Sequence, residues 1–150
     1  MMLRWLLASF HLLGLGVGLG AVWVRGRGLK GPLDASGLRR VFLADAVWGL
    51  AFLLWLGTGL WRLLAGTEKA TGYYLHNHLF WTKMMLFVLI LLLELAPMLG
   101  LIAWRRQLAR GMEPDTRRAR LYRRLSVSES IIVILMLVIA AGMARGYGAT

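Results

Sequence analysis

Long apolar runs alternate along the chain with short polar ones. Four runs reach the length of about 20 residues that a helix needs to cross a hydrocarbon core. They cover residues 3–24, 41–64, 78–103 and 125–144. No stretch shows the alternation of a membrane-barrel strand. A backbone in lipid must also satisfy its own hydrogen bonds, which favours helices. The pattern predicts an all-α fold, an integral membrane antiparallel four-helix bundle that forms one domain over residues 1–150. Gly31-Pro32-Leu33-Asp34 and Gly111-Met112-Glu113-Pro114-Asp115-Thr116 punctuate the first and third connections. Pro114 forbids a continuous helix there, and Asp115 or Thr116 is placed to cap a short amphipathic one.

Composition strengthens this reading. The chain is 59% hydrophobic and has no cysteine, well above the 45–50% or so apolar content of a soluble domain. Disorder, a disulfide framework, a thiolate metal site and a cysteine nucleophile are excluded. The net charge of +11 falls between the apolar runs, with no aromatic interleaving, so it does not point to nucleic acid. Arg25, Arg27, Lys30, Arg39 and Arg40 lie in the first connection. Arg105, Arg106, Arg110, Arg117, Arg118, Arg120, Arg123 and Arg124 lie in the third. The second has Arg62 and Lys69 near its ends, and the tail has Arg145. Positive connections stay in the cytoplasm, so both termini are expected outside it, with Arg4 the one dissenting residue. The arginines also attract anionic lipid, by about 1 kcal/mol per charge near the surface. The first run is too long for a signal peptide, and Ala21-Val22-Trp23-Val24 offers no cleavage site. It reads as an uncleaved first helix.

Five ionisable residues fall within the runs: His11, Asp45, Lys83, Glu94 and Glu129. Each costs about 2.5–3.5 kcal/mol on insertion scales and so needs a partner or a purpose. By rise per residue, His11 and Lys83 lie within about 12 Å of the outer face. The three acids lie nearer the cytoplasm. Asp45 and Glu129 sit near the expected starts of their helices, where the macrodipole favours acids, and five residues after Arg40 and Arg124 respectively. Glu94 has no local partner. His11, Gly14 and Gly18 share one helical face. That face is either a groove for a neighbouring helix or a cradle for a flat porphyrin. Asp45, Gly49, Phe52, Leu56 and Gly59 form one stripe, and Lys83, Phe87, Ile90 and Glu94 another. Both stripes are expected to face the bundle.

The segment His76-Asn77-His78-Leu79-Phe80-Trp81-Thr82-Lys83 is the densest polar and aromatic patch. Three readings fit it. The histidines and Trp81 anchor at the headgroups while Lys83 snorkels to water. Alternatively, His11 with His76 or His78 ligates the iron of haem b, and Lys83 pairs with a propionate. In the third reading, His76 and His78 bind copper with Met84 or Met85. A structural subunit of a larger membrane complex, or of a homo-oligomer joined through glycine faces, would need no cofactor.

Tyr73-Tyr74-Leu75-His76-Asn77-His78 and Gly57-Thr58-Gly59-Leu60-Trp61-Arg62 resemble an uncharacterised family of bacterial inner-membrane proteins with four helices. The resemblance covers nearly the whole chain and implies the bacterial cytoplasmic membrane. More distantly, the layout is similar to HemJ-type protoporphyrinogen oxidases and CopD-type copper-resistance proteins. His11 with the small residues after it, Lys83 after Trp81, and Ser128-Glu129 near the start of the last helix resemble positions of the HemJ-type pattern. Ser128 stands where that pattern has asparagine, and Glu94-Leu95-Ala96-Pro97 where it has later histidines. The resemblance implies His11 and Lys83 as the residues of haem handling and activity, with Glu129 the second catalytic candidate.

Overall fold

The computed structural model describes residues 2–65 and 71–148, so Lys69, one of the orienting charges, lies outside the described residues. The described residues form four long helices, α1 (Met2–Gly28), α2 (Ala35–Leu64), α4 (His78–Ala109) and α5 (Ala119–Ala144), with a short α3 (Thr71–Leu75) before α4. The long ones span at least about 39 Å at the standard rise, against a hydrocarbon core of about 30 Å. All four are apolar enough to cross a membrane, and only 22–33% of the most apolar window of each is buried. Leu50, Leu53, Met85, Leu92 and Val138 point outward. Such faces suit lipid as solvent.

The helices run antiparallel, which gives the bundle a terminal end, carrying both termini, and an arginine-rich end. α1 packs on α2 and α5, and α5 on α4. α2 and α4 meet through large side chains, where Phe52 stacks on Phe87 with centroids 5.5 Å apart. The central core joins Leu15, Val22, Trp48, Ile90, Val133 and Met136. A second cluster of Leu38, Val41, Leu101, Trp104 and Tyr122 closes the arginine-rich end.

The expected spans are found, but all four extend further at the arginine-rich end: α1 reaches Gly28, α2 starts at Ala35, α4 runs to Ala109 and α5 starts at Ala119. Hydropathy stops at the first arginine. The helix stops where its backbone groups find other partners. Asp34 caps α2 by accepting from the Gly37 N–H at 2.7 Å. α4 ends where Gly111, at φ 71°, donates to Leu108 while Met112 donates to Gln107. This is a Schellman closure, which favours glycine. Pro97 lies buried inside α4. The expected separate amphipathic helix in the third connection is absent: Asp115 caps a single 3-10 turn, Thr116–Arg118, that leads directly into α5.

Arg117 donates to Asp115 at 2.7 Å and holds that carboxyl down to about 2. The ordinary value is about 3.9, so the stability this contact lends is complete above about pH 4 and is lost as pH falls toward 2. The carboxyl carbon shift of Asp115 should titrate near 2, and Arg117→Gln should move the midpoint up toward the ordinary value.

At the terminal end the chain ties itself together. Asn77 is buried and caps α4 by accepting from Leu79 and Phe80, and its amide donates to the Tyr147 carbonyl at 3.1 Å. The His78 N–H donates to Gly148.

Candidate functional site

Polar groups inside the bundle form two layers, as their sequence depths indicated, but the acidic layer has a centre that sequence reading missed. Arg25 lies within α1 rather than in a connection, with none of its surface exposed. Its guanidinium forks onto Glu94, with Nη1 to Oε1 at 2.8 Å and Nη2 to Oε2 at 2.7 Å. Nη1 also donates to Asp45 at 3.0 Å, Nη2 to Glu129 at 2.7 Å and Nε to Ser126 at 3.0 Å. Arg105 completes the group, donating to the other oxygen of Asp45 at 2.8 Å and to the Phe42 carbonyl.

The expected pairings with Arg40 and Arg124 are therefore replaced. Both arginines are exposed, and Asp45 and Glu129 turn inward to Arg25. Because α2 and α5 begin earlier than expected, neither acid sits in a first turn, and the macrodipole does not explain them. Two signals for Arg25 were present in the sequence. It continues the Gly14, Gly18, Ala21 and Val22 face at helical spacing, and three acids in lipid require a cation.

At the terminal end a cavity of about 750 Å³ lies among α1, α2, α4 and α5. Its walls are mostly aliphatic and aromatic, and His11, Lys83 and Arg62 reach it. Leu12 and Leu137, which line it, are also exposed, so its walls extend to the lipid-facing surface. No carboxylate among the described residues pairs with Lys83.

His11 is held by α2 on both ring nitrogens. Trp55 Nε1 can only donate, so His11 Nε2 accepts from it, at 3.2 Å. Nδ1 then carries the proton and faces the Trp55 carbonyl at 3.1 Å and Thr58 Oγ1 at 3.0 Å. The Thr58 hydroxyl lies 2.6 Å from the Leu54 carbonyl, to which it donates.

Gly14 and Gly18 form a helix groove, and α2 fills it. A Cβ on Gly14 would lie 3.1 Å from the Trp55 backbone nitrogen, and one on Gly18 would lie 3.1 Å from the Trp48 ring. Gly16 and Gly20, on the opposite side, meet nothing within 4 Å. Lys83, Phe87, Ile90 and Glu94 face the interior as a stripe. Of the α2 stripe Gly49 does not, since a Cβ added there would meet nothing within 4 Å.

His76 and His78 do not join His11. Both are exposed and neither lines the cavity. Trp81 donates to the Leu75 carbonyl at 3.0 Å, which fastens the turn between α3 and α4. Met84 lines the cavity, while Met85 points outward. Among the described residues no group of three or more His, Cys, Asp or Glu is placed to hold a metal ion.

The two layers are joined by an aromatic belt between α2 and α4. Trp48 donates to Glu94 at 3.0 Å and packs on Phe52. Phe52 stacks on Phe87, which meets Trp55 edge-on, and Trp55 donates to His11. The belt floors the cavity and shields the ionic cluster beneath it, in a medium where a fixed charge is strongly felt.

A family model described as "Predicted membrane protein (DUF2214)", a domain of unknown function, matches residues 3–148. No curated protein and no solved structure matches the chain. The expected likeness to HemJ-type and CopD-type proteins is not shown by these matches.

Proposed function

The chain belongs to that membrane-protein family, and from its cavity we propose that it binds an amphiphilic anion within the bilayer, a bulky apolar body with a carboxylate head. The observation that carries this reading is the position of Lys83 on the wall of an otherwise apolar cavity of about 750 Å³, with no acid among the described residues paired to it. Pockets of this kind bury an apolar body and use a few polar groups to orient it. A carboxylate supplies the counter-charge that an intramembrane lysine needs.

Porphyrin carboxylates, suggested by the motif positions, belong to this class: the macrocycle meets apolar walls, and a propionate meets Lys83. Iron ligation is not part of the proposal. His11 has its Nε2 lone pair committed to Trp55, and the other two histidines lie outside the cavity. Metal-free protoporphyrin is therefore expected to bind as tightly as haem. Titrating the detergent-purified protein with protoporphyrin should quench tryptophan fluorescence saturably. Lys83→Met should weaken binding about tenfold or more, the equivalent of one charged hydrogen bond. Absence of saturable quenching, or indifference to Lys83→Met, would contradict the proposal. So would a Soret band with a reduced α-band that disappears in His11→Ala.

In this reading the protein lies in the bacterial cytoplasmic membrane with its arginine-rich end against anionic headgroups in the cytoplasm and its cavity toward the outer face. A reporter fused to the C-terminus should be active only if it works outside the cytoplasm. A C-terminal fusion that fluoresces in the cytoplasm would reverse the orientation.

A further inference from the structure

The ionic cluster does more than neutralise itself. Its charged members, from every helix packed around Glu129, are Arg25 of α1, Asp45 of α2, and Glu94 and Arg105 of α4; α5 adds the neutral Ser126 and Ser130 beside Glu129 itself. Three carboxylates against two guanidiniums leave one negative charge in excess. That excess lies in the bundle core, where an uncompensated charge is costly.

The geometry locates it. Glu94 Oε2 and Glu129 Oε2 both accept from the same nitrogen, Arg25 Nη2, each at 2.7 Å, so the two oxygens lie no more than about 5.4 Å apart. Carboxylates that share a buried site repel each other, which favours a proton on one of them. Glu129 has no exposed surface, and its Oε1 is buried with no hydrogen-bond partner among the described residues. Glu94 keeps both oxygens committed to Arg25, and one also to Trp48.

We propose that Glu129, together with Glu94, forms an intramembrane proton-binding site that holds one exchangeable proton. With that proton on Glu129 the five side chains sum to zero charge; its departure leaves one uncompensated carboxylate against α1 and α5. Asp45 and Arg105 lead from the site toward the arginine-rich end, and Arg105 is 37% exposed there. They form the path by which the proton exchanges with water on that side. The proposal does not depend on the ligand of the terminal-end cavity.

Infrared spectroscopy of the full chain in bilayers at neutral pH tests it. A protonated-carboxyl C=O stretch is expected, downshifted in D2O, moved by 13C labelling of glutamate carboxyls, and absent from Glu129→Gln. That variant keeps an oxygen for Arg25 Nη2 and mimics the protonated state, so it should fold. The unsubstituted protein decides the matter even if the variant does not fold. No such band, a band insensitive to glutamate labelling, or a band that survives in folded Glu129→Gln would each overturn the proposal.

Discussion

Replacing Arg25 with methionine should destabilise the bundle by about 3–5 kcal/mol, the loss typical when one partner of a buried ion pair is removed. Domains are stable by only about 5–15 kcal/mol, so the variant should accumulate poorly and lose its folded peak at a much lower temperature. The cause is what remains: Asp45, Glu94 and Glu129 facing one another without the guanidinium that touches all three. Lysine at this position should recover only part of the loss. It keeps the charge, but it cannot fork onto both oxygens of Glu94 while also reaching Ser126. Adding Glu94→Gln to Arg25→Met removes the charge stranded by the lost fork and should restore part of the stability. Thermal unfolding in mild detergent, followed by size-exclusion recovery, reads all four proteins. Arg25→Met as stable as the parent would show that the cluster does not hold the helices together.

The second large effect is steric. Gly14→Leu should cost at least about 1–3 kcal/mol, the range for overpacking a filled core, because the new side chain meets the backbone of Trp55 and Ala51 rather than a movable side chain. Separating α1 from α2 there also pulls His11 from Trp55. Gly16→Leu, two residues away, faces open space and should cost almost nothing. The same unfolding assay distinguishes them. Equal tolerance of leucine at both positions would mean that α1 and α2 do not pack through this groove.

These two residues mark how far the sequence could be read. The four spans were legible because lipid demands about 20 apolar residues per helix, a requirement strong enough to survive any detail of packing. The helix ends were not, since all four long helices continue past the arginines that border the apolar runs, where composition changes but backbone hydrogen bonding does not. Arg25 is hidden for that reason: composition places it among the charges of a connection, although it continues the buried stripe of α1. Arginines near in sequence suggest themselves as partners of Asp45 and Glu129, although the actual partner, Arg25, lies across the bundle. The Gly14 and Gly18 face shows in the sequence as a groove, but periodicity cannot say whether a helix or a ligand fills it; α2 does. The inward stripe from Lys83 to Glu94 was legible in full, because both its ends carry charge that lipid would reject. His76 and His78 look like partners of His11 on spacing alone, yet the buried polar residue of that segment is Asn77, recruited as a helix cap.

Native mass spectrometry of the protein released from mild detergent shows whether the cavity holds an amphiphilic anion. One acidic, lipophilic molecule per chain is expected, retained by the parent protein and by Gly16→Leu and lost from folded Lys83→Met. A parent chain that flies without any bound molecule after incubation with protoporphyrin, or a molecule held equally well by Lys83→Met, would contradict it.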